Sequence, residues 1–295
     1  MNTLSKLSKF FIICAAVVFV GMVCAIAGAV NGGIEDIDKL ADNYDWIQGS
    51  PGERGVTAQK VEDYHSIKVT GDADVWIVGR EFYKKASWLA DQDVLEPTEY
   101  DVIGKNQVCV VCGDKIEQPE ITVENGVLKI NAHTAEFNGF SLNLSDTTFT
   151  PKILICAPKD VLQSLTVSGE TGDVNVLGVS WEDAKIWLNT GDVNMEGVKS
   201  GGLSVEIDIG YTGLQGEFMR TTQVSSDTGD VEIDTSLSKA EYALSLKSET
   251  GTVEVEEPGE KSFRDETSDG IIEKGGPHKL IAETDTGEVR VRFER

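Results

Sequence analysis

The sequence predicts an all-β fold, a solenoid or β-helix-like stack of short strands on a repeat of ~19 residues, preceded by one N-terminal transmembrane helix. Three observations predict it. Glycine recurs at near-constant intervals through the second half of the chain, residues at fixed offsets from each glycine alternate between apolar and polar, and an uncharged apolar run lies close to the N-terminus.

The repeat is read from Gly172, Gly191, Gly210, Gly229, Gly251, Gly270 and Gly287, spaced by 19, 19, 19, 22, 19 and 17 residues. Thr-Gly-Asp or Thr-Gly-Glu occurs at Thr171, Thr190, Thr228 and Thr286, and Thr250 begins a Thr-Gly-Thr version. Two residues after the glycine stand Val174, Val193, Thr212, Val231, Val253, Ile272 and Val289; four after it stand Val176, Met195, Leu214, Ile233, Val255, Lys274 and Val291. Between these columns lie Asn175, Asn194, Gly213, Glu232, Glu254, Glu273 and Arg290, so the period is two, as in a strand with one buried face. Apolar columns five and seven residues before the glycine, such as Val167 with Leu165 and Val205 with Leu203, predict a second strand ahead of each turn. One such unit cannot bury its own apolar face. Successive units stacked about 4.8 Å apart can. Glycine supplies a turn needing positive φ, and the neighbouring Asp or Asn can bond the turn backbone. The Gly270 unit breaks the pattern at Asp265 and Lys274, which predicts a looped-out or degenerate coil.

Upstream, Ser66 to Ile77 and Ile121 to Ile130 carry the same texture more weakly and read as first-coil or hairpin elements. Arg80 to Lys105 lacks clean periodicity and reads as a long loop or insertion. Ile34, Ile37 and Leu40 have helical spacing ahead of Gly49-Ser50-Pro51-Gly52. The resulting division is 1–31, cytoplasmic tip and transmembrane anchor; 32–62, juxtamembrane helix and linker; 63–150, N-terminal β region with an irregular insertion; and 151–295, β-repeat solenoid.

Phe10 to Val30 is 21 residues without a charge, long enough to span ~30 Å of hydrocarbon. Lys6 and Lys9 precede it and Glu35, Asp36 and Asp38 follow, which predicts a single-pass signal anchor with the C-terminal domain outside the cell membrane. The competing reading is a cleaved signal peptide, since Ala25-Ile26-Ala27 and Ala27-Gly28-Ala29 resemble cleavage sites. Beyond the anchor, 24 basic residues face 50 acidic ones. That surface repels nucleic acid and anionic polymers and attracts cations or basic partners.

At this point the chain resembles the bacterial putative-adhesin family of β-strand-repeat proteins, through Ile121 to Ile130 (ITVENGVLKI), Ile153 to Val176 (ILICAPKDVLQSLTVSGETGDVNV) and the later Thr-Gly-Asp-Val copies. The resemblance covers roughly residues 63–295. It implies a membrane-anchored cell-envelope protein, sometimes connected with envelope stress, with no catalytic residues to carry over.

The search for chemistry returns little. His65, His133 and His278 fall on unrelated elements, and the chain has no nucleophile elbow, phosphate loop, dinucleotide fingerprint or zinc-protease helix. The spacing of Cys109 and Cys112 puts their sulfurs on opposite faces of a strand, which favours a buried thiol or a bridge to Cys156 over a redox pair. The functional expectation is a non-catalytic cell-envelope surface module with an adhesion, binding or structural role. The alternatives are a regulatory envelope-stress membrane protein and a polysaccharide-acting β-helix enzyme. Trp187 and Tyr211 form a candidate contact patch for an extracellular protein or glycan, against the alternative that both rings are covered. No cofactor is called for. The one metal candidate is weak divalent-cation binding, such as Ca2+, at Asp208 and Asp227 in the column Glu170, Asn189, Asp208, Asp227, Glu249, Ser268 and Asp285. The phase of the strands also predicts that Val231→Asp is severe and Glu232→Gln nearly neutral.

Overall fold

In the computed structural model, the described residues are 54–79, 107–113, 118–132, 151–158, 160–259, 263–265 and 270–294. They are almost wholly β, with a short 3-10 turn at Lys239–Glu241. The Phe10–Val30 run, the 32–53 stretch and the Arg80–Lys105 insertion lie outside the described residues. Among the described residues no helix is long and apolar enough to cross a membrane.

Each coil is two strands, which meet at a glycine turn in every coil but the second, whose connection lies outside the described residues. In chain order the coils are β2 (Ser66–Gly71) with β3 (Asp74–Gly79), then β6 (Val127–Ala132) with β7 (Lys152–Ala157), and then β8 (Leu162–Thr171) with β9 (Val174–Leu177). Next come β10 (Ser180–Thr190) and β11 (Val193–Ile209), the latter long enough to lie beside β9 with its first half and, with its second, beside β13 (Thr221–Thr228). After β11 follow β12 (Thr212–Phe218) and β14 (Val231–Thr235), then β15 (Tyr242–Thr250) with β16 (Val253–Glu256), and finally β19 (His278–Thr286) with β20 (Val289–Phe293). First strands of the coils pair in parallel to make sheet A, and second strands make sheet B.

The apolar columns are the core, in the phase the sequence predicts. Val174, Val193, Thr212, Val231, Val253 and Val289 are buried, as are Val176, Met195, Leu214, Ile233, Val255 and Val291. Val167, Ile186, Val205, Val224, Leu246 and Ala282 are buried on sheet A. The Gly270 unit is not a coil. Ile272 is 73% exposed, and the segment supplies β17 (Phe263–Asp265) and β18 (Ile271–Glu273), which run antiparallel to β16 and β15. At the opposite end, β5 (Glu120–Glu124) pairs antiparallel with β6 through a two-residue turn at Asn125 and Gly126, both with positive φ as an Asn-Gly hairpin requires. There β4 (Gln107–Gly113) is antiparallel to β7, and β1 (Arg54–Lys60) to β4. Antiparallel strands thus cover the two ends of the parallel stack, where open edges would otherwise invite pairing with other chains.

The Thr-Gly-Asp turn has a double explanation. A Cβ at Gly210 would lie 1.9 Å from the Gly191 carbonyl oxygen, and Gly229 meets Gly210 in the same way at 1.8 Å, so successive turns stack backbone on backbone. The aspartate then staples each turn to the next. Asp173 Oδ1 accepts the Asp192 N–H at 2.9 Å, Asp192 Oδ1 accepts the Tyr211 N–H at 2.8 Å, and Asp230 Oδ1 accepts the Glu288 N–H at 2.7 Å.

That last bond exposes a departure from chain order. The last coil, β19–β20, is threaded between β13–β14 and β15–β16: β19 pairs with both β13 and β15, and β20 with both β14 and β16. The turn backbones agree, since the Gly229 N–H reaches Thr286 O at 2.9 Å and the Gly287 N–H reaches Thr250 O at 3.1 Å. The first coil is threaded as well, with β2 between β6 and β8 and β3 between β7 and β9. The stretches before and after residue 150 consequently share one continuous stack.

Charge gives a reason for the order at the C-terminal end. On the outer face of sheet B, Glu232 and Asp234 of β14 stand in register with Arg290 and Arg292 of β20, which stand in register with Glu254 and Glu256 of β16. Arg290 lies 3.5 Å from Glu232 and 3.2 Å from Glu254; Arg292 lies 3.3 Å from both Asp234 and Glu256. Stacked in chain order, β16 would sit on β14 and set Glu232 against Glu254 and Asp234 against Glu256. Like charges directly opposite one another destabilise a strand pair, so the threaded order converts two repulsions into a ladder of attractions.

Candidate functional site: a polar groove on sheet B

Two substitutions in the repeat open a depression on the outer face of sheet B. Gly213 replaces the polar residue of its column, and Tyr211 stands where Asp173, Asp192 and Asp230 follow the turn glycine in other coils. A Cβ on Gly213 would meet the Tyr211 ring at 2.7 Å, so the ring lies in the space the glycine leaves. The Tyr211 hydroxyl donates to Glu232 Oε2 at 2.7 Å, which fixes the ring across the strands. In register on one side of Gly213 is Asn194, followed by Asn175; on the other is Glu232. Together with Glu196, Gln215 and Asp234, these residues line a shallow groove of about 420 Å³.

Glu232 is the electrostatic hinge of the site. Its carboxyl is held below the ordinary value of 4.5, first by the Tyr211 hydrogen bond and then, against the effect of burial, by Arg292 and Arg290. The neighbouring Asp234 is shifted upward, chiefly because burial outweighs the Arg292 charge. The Tyr211 phenol is pushed up by burial and by donating to Glu232. A carboxylate with a depressed folded-state pKa stabilises the fold above its unfolded value and loses that contribution as pH falls through the folded value. Wild type is therefore expected to exceed Glu232→Gln in Tm near pH 6, with the gap closing as pH drops below about 4.5, the ordinary value for glutamate. Asp234 works the other way, favouring the fold in acid, which is why the comparison needs the Glu232 variant rather than wild type alone.

The sequence-predicted residues divide between places. Trp187 lies on β10 in sheet A, in register with Ser168 and Glu206, and is 40% exposed. Tyr211 belongs to the sheet B groove, so the two rings do not make one patch. Asp208 and Asp227 stand on adjacent coils, because Ile207 pairs with Ser226 and Ile209 with Thr228. The threaded order places Asp285 between Asp227 and Glu249, and Lys247 bonds Glu249 at 2.7 Å; Ser268 lies outside the described residues. Among the described residues no group of three or more His, Cys, Asp or Glu side chains is arranged to hold a metal ion. Residues 109 and 112 lie on β4, and their side chains lie outside the described residues. Cys156 is buried on β7, its carbonyl accepting the Tyr64 hydroxyl at 2.7 Å. Asn175, Asn194, Gln215 and Glu232 were missed as site residues. Their signal was available in the columns, where Gly213 interrupts a polar series and Tyr211 an aspartate series.

The family model Toastrack DUF4097 matches residues 103–292. The chain belongs to the Toastrack DUF4097 family. The Toastrack match begins after β3, yet the unmatched first coil lies between two matched ones. No curated protein matches the chain. Among solved structures, a putative adhesin from Bacteroides fragilis is 14% identical, with 82% of this chain and 98% of that one covered and a TM-score of 0.42. A putative cell adhesion protein from Clostridium sporogenes is 11% identical, with 82% and 100% covered and a TM-score of 0.38. A putative lipid binding protein from Parabacteroides distasonis is 15% identical, with 83% and 98% covered and a TM-score of 0.28.

Proposed function

We propose that this chain is a non-catalytic binding module of the cell envelope, displayed outside the membrane by the 10–30 segment, and that it takes a polar ligand in the sheet B groove. The observation that carries the reading is the Tyr211 ring fixed across Gly213 with carboxamides on one side and a carboxylate on the other. An aromatic surface beside a few directional polar groups is the usual composition of a ligand site.

The test is an array of glycans, peptides and cell-wall polymers probed with full-length protein and with Tyr211→Ala. The expected result is at least one ligand retained by wild type and lost about tenfold or more by the variant, the scale of an aromatic anchor worth about 1.4 kcal/mol. An array on which nothing depends on Tyr211 overturns the groove as the binding site.

A further inference from the structure

We infer that the ligand of this groove is a short amino sugar with a free ammonium group, a statement that rests on the groove being the binding site. The polar groups available are all acceptors or amides. Glu196, Glu232 and Asp234 can only accept hydrogen bonds when ionised, while Asn175, Asn194 and Gln215 both donate and accept; among the described residues no lysine or arginine lines the groove. A ligand bearing carboxylate, sulfate or phosphate would find no counter-charge there.

The nearby arginines do not change that balance. Arg290 and Arg292 are shared among Glu232, Asp234, Glu254, Glu256 and Glu288, five carboxylates against two cations. Of those carboxylates only Glu232 and Asp234 line the groove, and the two arginines offset them; Glu196 adds the charge that makes the groove net negative. It is exposed beside an irregularity in the β11–β12 register between Met195 and Val198, a kind of feature that re-aims side chains next to functional sites, and no cation stands beside it among the described residues. An ammonium at Glu196 would supply the cation that the described residues do not. The hydroxyls of the same ligand match the amides of Asn175, Asn194 and Gln215, and the C–H face of a pyranose matches the Tyr211 ring.

The acetylated and free-amine forms of one sugar separate this inference from the broader reading. Full-length protein is titrated by calorimetry with glucosamine trimer and with N-acetylglucosamine trimer at low and moderate salt. The free-amine trimer is expected to bind, to weaken with salt, and to lose about two- to fivefold with Glu196→Gln, as an exposed ionic contact should. The acetylated trimer is expected not to bind measurably. Asp227→Asn, which removes the same charge from the turn column away from the groove, should leave binding unchanged. Equal binding of the two trimers, no binding of the free-amine trimer, or an equal loss in Asp227→Asn each overturns the amino-sugar assignment. If that assignment falls while some other ligand on the array still depends on Tyr211, the groove reading stands; if nothing depends on Tyr211, both fall.

Discussion

Val231→Asp is expected to abolish cooperative folding or to cost more than about 4 kcal/mol, the range of an unpaired charge placed in a core. Val231 is 1% exposed and sits in register between Thr212 and Val289 inside the stack. No basic group belongs to that column, and a displaced β14 would disturb β12 and β20 together. Glu232→Gln is not the silent control that strand phase alone suggests. Glu232 accepts the Tyr211 hydroxyl and pairs with Arg292, so its loss should cost on the order of 1 kcal/mol, the usual net worth of such a hydrogen bond. Thermal unfolding of both variants checks the pair: comparable Tm losses would contradict the inward and outward assignment of β14.

The second large effect belongs to the arginine ladder. Arg290→Glu combined with Arg292→Glu sets six like charges on three adjacent strands. Two unit charges 5 Å apart repel by about 0.8 kcal/mol in water and about 3 kcal/mol at an effective dielectric near 20, so a loss on the order of 4 kcal/mol is expected for the double reversal. Adding Glu254→Arg and Glu256→Arg should recover much of it, because opposite charges then face each other across β20 and β16 again. Denaturant melts of the double and quadruple variants decide the matter. A double variant within about 0.5 kcal/mol of wild type, the range of ordinary surface changes, would mean that the ladder does not hold the last coil in place.

Much of this architecture was legible in the sequence because it is written in local periodicity. The buried columns from Leu165 to Val291, the turn glycines and the failure of the Gly270 unit follow from residues within one repeat of each other. Coil order does not. Near-identical coils can stack in any sequence, and the choice rests on pairs such as Arg290 with Glu232 and Glu254, which no local pattern links. The groove was half legible: Tyr211 drew attention as an aromatic, but its role depends on the missing side chain at Gly213 and on Glu232 one coil away. Trp187 and Tyr211 looked like neighbours in the repeat, yet they project from different sheets because a glycine turn separates the strands that carry them.

The threaded order is the most direct point of attack, since the arginine ladder and the assignment of Gly251 and Gly287 to adjacent turns depend on it. Thr228, Thr250 and Thr286 lie in one exposed column, with Thr286 in register with both of the others. Strands one coil apart sit about 4.8 Å from each other and those two coils apart about 9.6 Å, while a disulfide spans Cα atoms up to about 7 Å apart. Paired cysteine variants oxidised in the native state and mapped by peptide mass should therefore link 228 to 286 and 250 to 286, and leave 228 and 250 unlinked. A ready 228–250 disulfide, with none between 228 and 286, would show that the coils stack in chain order and would contradict the threaded fold.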